Sequence, residues 1–144
     1  MKECKCNRNE IGMLIKQISF QMRTHADMDL RKCDLTWSQA HLLRHLAKAG
    51  GQMSQKQIEK ELEISHPTVV GLVQRLEAKA FVLREPDRGD RRCKRIRLTD
   101  RGRQCDAAVG QAVETLERVM CAGMTSEEQR TLRRLRDLGK MHMA

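Results

Sequence analysis

Between Arg84 and Arg103 the chain places nine Lys or Arg residues, at positions 84, 88, 91, 92, 94, 95, 97, 101 and 103, against four acids at 85, 87, 90 and 100. That stretch holds +5 of the net +9 carried by all 144 residues. Guanidinium and ammonium groups at this density suit a polyanion. They neutralise phosphates, and the arginine fork also matches the edge of guanine. A charge run alone is as well explained by a solvated face, so its order matters more than its sum. Asp90 and Arg92 are two apart and share a side in extended backbone. Asp90 is therefore expected to hold Arg92 in a fixed pose, while Lys94, Arg95 and Arg97 face phosphates.

A second set of residues has the types that read base edges. Ser65, His66, Thr68, Val70, Gly71, Gln74 and Arg75 are small or polar and recur within one short segment. Gln and Arg pair bidentately with adenine and guanine, Val70 suits a thymine methyl, and Gly71 permits close approach. Aromatic residues make up 2% of the chain, with no Tyr. That argues against stacking platforms for single strands and for a duplex partner. No nucleophile–base pair, glycine-rich phosphate loop or carboxylate dyad stands in a coherent context, so an enzyme is not expected and no cofactor is called for.

Other reactive groups are more isolated. His41 and His45 have the i, i+4 spacing of a two-histidine metal face, but read first as ordinary surface or partly buried histidines. Six cysteines stand at 4, 6, 33, 93, 105 and 121 without any C-x-x-C pair, which disfavours a zinc knuckle. Met1 to Asn9 is polar and no apolar run approaches a bilayer span. The expected location is the cytoplasm, with the thiols reduced.

The composition, 40% hydrophobic and 33% charged, is that of a globular domain. The elements that must position these side chains are mostly helical. Ile11, Leu14, Ile15, Ile18 and Met22 make one stripe of a helix from Glu10 to Arg31, with Met13 and Phe20 off it. Such a helix packs against more than one partner. Thr36-Trp37-Ser38-Gln39 and Ser54-Gln55-Lys56-Gln57 are capping boxes, a hydroxyl followed three residues on by Gln. The first opens a helix ended by Gly50-Gly51, the second a short helix ending near Glu63 to Ser65. Ser65 caps the next helix, with Pro67 in its first turn. There Val69, Leu72, Val73 and Leu76 form the inner stripe, leaving the base-reading set outside. Phe81 to Arg84 reads as a strand, Glu85 to Gly89 as a turn. Arg92 to Leu98 alternates, with Ile96 and Leu98 inward and Arg95 and Arg97 outward. Thr99 is placed to cap one long helix from Asp100 to about Ala122, faced by Val109, Ala112, Val113, Leu116 and Val119 or Met120. Thr125 opens the last helix, with Leu132, Leu135 and Leu138.

Two short helices and a hairpin with an arginine-rich tip form a two-groove reader: the second helix in the major groove, the hairpin tip at the minor groove. At these residues the chain resembles the multiple-antibiotic-resistance regulator (MarR) family. The resemblance lies in Leu35-Thr36-Trp37-Ser38-Gln39, Ser54-Gln55, Ser65 to Val70 and Leu76-Glu77. It is strongest in Asp87-Arg88-Gly89-Asp90-Arg91-Arg92 followed by Leu98-Thr99-Asp100-Arg101-Gly102. It implies a mainly α (α+β) fold, a single domain over 1–144. A winged helix-turn-helix over 35–103 would be flanked by dimerisation helices at 10–31 and 104–144. It also implies a homodimer on a pseudo-palindromic duplex, acting as a repressor released by a small anionic or phenolic ligand or by thiol oxidation. Ala80 departs from the family, which usually has Gly there; Ala is tolerated if that turn does not need positive φ.

The resemblance further places a ligand pocket near Gln17, Phe20, Arg23, Trp37 and His41, with Arg23 as the cation for an anionic ligand. Trp37 and Phe20 read first as core residues. A zinc-sensing branch of the family has His at the position of His41, but Val109 and Val113 occupy the places of its further ligands, so no metal is expected. Candidate redox groups are Cys4 and Cys6, which Cys33 is positioned to approach, and Cys93 in the basic wing. Cys105 and Cys121 read as packing residues. A thiol- or metal-responsive regulator of the same fold, and a non-specific architectural DNA binder, are the alternatives.

Overall fold

The computed structural model describes residues 8–143; Cys4 and Cys6 lie outside them. Seven helices and three short strands follow in the order α1 (Arg8–Leu30), α2 (Trp37–Lys48), β1 (Gln52–Ser54), α3 (Gln55–Leu62), α4 (His66–Ala78), β2 (Val82–Pro86), β3 (Lys94–Leu98), α5 (Asp100–Gln104), α6 (Asp106–Ala122) and α7 (Ser126–Met143). A single 3-10 turn, Arg31–Cys33, closes α1. The fold is mainly helical with a small antiparallel sheet, a winged helix-turn-helix. Among the described residues no helix is long and apolar enough to cross a membrane.

The helix starts follow their hydroxyl caps. Thr36 Oγ1 accepts the Gln39 N–H at 3.4 Å, and Gln39 Oε1 accepts the Thr36 N–H at 3.2 Å. The same reciprocal pair joins Ser54 to Gln57 and Thr125 to Glu128. Each box satisfies donors that a helix start leaves without partners.

The core gathers the inner stripes of α2 (Leu42, Leu43, Leu46) and α4 (Val69, Leu72, Val73, Leu76) with Ile58, Phe81, Val82, Ile96 and Leu98. Each such side chain contributes about 1.5–3 kcal/mol on leaving water. Ala26 and Leu30 of α1 and Val109, Ala112 and Leu116 of α6 close one side of it. On α6, Met120 packs inward, whereas Val119 is 54% exposed.

Three local features differ from expectation. The sheet has order β1-β3-β2, so a third strand, Gln52–Ser54, pairs with β3 along its far edge. Its three residues are too few to show alternation. Second, β2 runs on through Glu85 and Pro86, and the turn is Asp87 to Cys93. Pro86 is tolerated there because β2 is an edge strand. Third, the helix capped by Thr99 breaks at Cys105, giving α5 and α6 instead of one rod. α5 is held to the wing: Thr99 Oγ1 donates to the Ala80 carbonyl at 2.6 Å, and a Cβ on Gly102 would meet the Phe81 carbonyl oxygen at 2.4 Å. α6 instead follows α1 and α2, with Asp106 accepting from Arg44 at 3.1 Å.

Ala80 sits at φ +62°. The turn after α4 therefore does need the left-handed region, and an alanine occupies it. The Phe81 N–H donates back to the Leu76 carbonyl at 2.9 Å, the closing bond of a Schellman cap.

Candidate nucleic-acid interface

The outer helix of the reader, α4, starts where α3 is stopped by Glu63 in the left-handed region, φ +53°. Ser65 Oγ then accepts the Thr68 N–H at 3.4 Å and lies 2.8 Å from Thr68 Oγ1. With the apolar stripe turned inward, Ser65, His66, Thr68, Gln74 and Arg75 are exposed, and Val70 and Gly71 are half-buried. Nothing in the chain lies within 4 Å of where a Gly71 Cβ would be. The expected base-reading set thus stays off the core stripe, but Thr68, Gly71 and Arg75 lie on the flank of α4 that lines a cavity toward α1 and α2. His66 is tied back to α3 through its Nδ1 and the Glu59 carboxylate.

The wing is built differently from expectation. Its turn is closed by the Asp87 N–H on the Cys93 carbonyl at 3.0 Å and the Cys93 N–H on the Asp90 carbonyl at 2.9 Å. Asp90 does bind Arg92, but through the backbone: Oδ1 accepts the Arg92 N–H at 3.0 Å. The expectation that Asp90 grips the Arg92 side chain is corrected accordingly. A carboxylate accepting from the N–H two residues on forms an Asx turn, which mimics a backbone turn.

Arg95 and Arg97 are each paired with a carboxylate inside the wing. Arg95 Nε donates to Asp87 Oδ1 at 2.8 Å, and Arg97 Nη2 donates to Glu85 Oε1 at 2.5 Å. The alternation places their side chains outward as expected, but Glu85 of the opposite strand and Asp87 at the start of the turn supply carboxylates within reach. Among the described residues Arg88, Arg91, Arg92 and Lys94 make no ion pair, and all four are exposed at the tip. At the base, Arg84 donates its backbone N–H and its Nε to Glu77 Oε2, and its Nη2 to Glu77 Oε1. Neither Glu77 nor Arg84 was expected as a site residue. An acid and an arginine seven apart across a helix-to-strand turn were the available signal.

Behind α4 a cavity of about 650 Å³ opens between α1, α2 and α4. Arg23, Trp37 and His41 line it, as do Thr68 and Arg75 from α4. Gln17 and Phe20 do not, and Phe20 is 70% exposed. Phe20 is therefore not a core residue; it lies on the part of α1 that extends past the core. Trp37 is half-buried against the core and stacks on His41, rings 5.8 Å apart and 9° from parallel. Burial, followed by the nearby His45 and Lys48 charges, holds the His41 imidazole below its usual 6.5. His45 meets the His41 ring edge-on, centroids 4.8 Å apart, and its Nδ1 lies 3.6 Å from Glu61.

The thiols divide between the two parts of the chain. Cys93 Sγ donates to Asp90 Oδ2 at 3.6 Å, so a carboxylate stands beside it. Cys33 packs where α1 ends and meets Cys105 at the break before α6; burial first, then Cys33, push the Cys105 thiol up. The sulfur that Cys33 approaches in the described residues is thus Cys105.

The sequence model of the MarR family matches residues 34–92. The S. aureus MepR, solved as a DNA complex, is 30% identical over 94% of this chain and 96% of its own, with a TM-score of 0.77. The chain belongs to the MarR family. The transcription regulator MarR from Oenococcus oeni PSU-1 is 27% identical over 93% of this chain and 99% of its own, TM-score 0.76. An organohalide-sensing regulator solved in its 2,4-dichlorophenol-bound form reaches a TM-score of 0.84 at 18% identity, over 94% of this chain and 80% of its own. At that identity the likeness speaks for the fold. MarR-family members are transcription regulators and not enzymes. In this MarR-family chain the matched segment holds the α2–α4 unit and the wing tip, and the flanking helices lie outside it.

Proposed function

We propose that the chain is a sequence-specific double-stranded-DNA-binding transcriptional regulator, a homodimeric repressor released by a small ligand. The observation that carries this reading is the pairing of two exposed surfaces. One is the polar face of α4, from Ser65 to Arg75; the other is the wing tip of Arg88, Arg91, Arg92 and Lys94. A helix face of that composition suits the major groove, and unpaired arginines at a hairpin tip suit the minor groove. The MepR relative was solved on DNA, which supports the same use here.

Residues 35–103 would form the reader, and 10–31 with 104–144 the dimer contacts. Ile11, Leu14, Ile15 and Ile18 of α1 are each more than half exposed in the single chain, as are Leu132 and Leu135 of α7. Apolar stripes of this extent call for a cover, and a second copy supplies matching ones by twofold symmetry. The ligand would occupy the cavity beside Arg23, Trp37 and His41, where two arginines and a flat aromatic wall suit a small anionic or phenolic molecule. Arg75 and Thr68 belong to both the cavity and the DNA-facing helix, which gives ligand and DNA a shared element.

The test is a gel shift at raised salt, comparing the duplex upstream of the chain's own gene with a random duplex of equal length. Preference for the upstream duplex supports the regulator. Equal binding to both would make the chain a non-specific architectural binder instead.

A further inference from the structure

We propose that Glu77 and Arg84 are positioning residues that lock the wing to the recognition helix, so that the two act as one rigid reader. This rests on the DNA-binding reading above. Glu77 lies in the last turn of α4 and Arg84 is the third residue of β2. One carboxylate accepts three hydrogen bonds: the Arg84 backbone N–H at 3.2 Å, Nε at 3.1 Å and Nη2 at 3.1 Å. β2 is the edge strand of the sheet, and opposite Ile96 the Arg84 N–H points away from β3. Glu77 thus fills a place on the edge that a further strand would otherwise fill.

The hairpin is then held on both sides. On one side β1 pairs with β3 and fixes the wing to the start of α3. On the other, Glu77 fixes it directly to α4. Between them the covalent link from Ala78 to Phe81 passes through the strained Ala80. Both side chains are about one-third exposed, where an isolated ion pair adds little stability. A carboxylate also stands at a surface that must meet phosphates. A bidentate fork plus a backbone bond is the geometry that fixes orientation, and orientation is what two grooves at a set spacing demand.

Two variants separate positioning from simple electrostatics. Arg84→Lys keeps the charge and loses the fork. Glu77→Gln removes a negative charge and weakens the acceptor. The probes are the duplex upstream of the chain's own gene and a shuffled duplex of the same composition. Each variant is expected to bind the upstream duplex about tenfold more weakly, the size of one charge-assisted hydrogen bond, with binding to the shuffled duplex unchanged or slightly tighter. The double variant is expected to lose no more than either single one. Melting curves within a few degrees of the parent verify folding. Unchanged affinity for the upstream duplex would overturn the lock, as would Glu77→Gln tightening both duplexes equally, because Arg84 would then be an ordinary phosphate ligand. If the parent does not distinguish the two duplexes, the regulator reading fails by itself. Amide exchange then decides the lock: faster exchange at Arg84 in Glu77→Gln supports it, and an unchanged rate refutes it.

Discussion

Asp90 Oδ1 accepts the backbone N–H of Arg92 at 3.0 Å, and among the described residues no carboxylate is paired with the Arg92 guanidinium. The acid shapes the loop, and the Arg92 side chain is left without an ion pair among the described residues. Arg92→Ala is accordingly expected to weaken binding to the upstream duplex by about 1–3 kcal/mol, without lowering thermal stability. Asp90→Ala is expected to weaken it too, by loosening the loop, although it makes the wing more positive. Titrations of both variants by fluorescence anisotropy check this. An Asp90→Ala that binds more tightly would show that charge, not loop shape, governs the tip.

Ala80 holds φ +62° at the end of α4. An L-residue there costs roughly 1–2 kcal/mol relative to glycine, part of which glycine returns as extra freedom in the unfolded chain. Ala80→Gly is expected to stabilise the protein by about 0.5–1 kcal/mol, and Ala80→Val to destabilise it by more. Urea unfolding midpoints at constant slope give both numbers.

Gly102 presses its Cα against the wing, and the oxygen in the way of a Cβ is backbone, not a flexible side-chain end. Gly102→Ala is expected to cost about 2–3 kcal/mol by overpacking. Thermal melts would register the loss. An unperturbed melting point would mean that α5 can slide away from Phe81 freely.

The His41 imidazole is held below 6.5 by burial first and by the His45 and Lys48 charges second. The unfolded chain therefore takes up that proton more readily than the folded one. Stability from this source is complete above 6.5 and falls as the pH drops from there toward the lowered value. His41→Gln is expected to flatten the fall between about pH 7.5 and about pH 5.5. Chemical melts of parent and variant at both ends of that range provide the comparison; parallel pH curves would contradict it.

Leu132 and Leu135 are 53% and 56% exposed on α7. If a second copy covers them, Leu135→Glu buries a charge in the dimer contact and is expected to give monomers that bind the upstream duplex at least tenfold more weakly. Sedimentation velocity reads the state directly. A variant that sediments as the parent does would exclude α7 from the contact.

Much of the positioning frame was legible because it depends on neighbours in sequence. The caps at Thr36, Ser54 and Thr125 each need only residues three apart. The inner stripe of α4 and the inward Ile96 and Leu98 follow from one period each. What sequence did not reveal depends on residues distant along the chain. β1 is a strand only because β3 lies beside it. The partners of Arg95 and Arg97 come from elsewhere in the hairpin, Asp87 from the turn and Glu85 from the opposite strand. The break at Cys105 arises because α5 is attached to the wing while α6 is attached to α1 and α2. Phe20 reads as core by type, yet α1 extends beyond the core it would join. Whether the turn at Ala80 demands positive φ depends on the backbone bond from Phe81 to Leu76.

The pairing of Gln52 with Arg97 and Ser54 with Arg95 has a further consequence, for the order in which the molecule assembles. These partners are separated by the whole of α3, α4 and the hairpin. Closing so long a loop early is entropically expensive, and becomes cheap once the intervening helices have formed and shortened it. On the ribosome β1 emerges well before its partner and must wait. The docking of β1 on the hairpin is thus expected to be the last step in setting the reader, after α4 and the local β2–β3 pairing are in place.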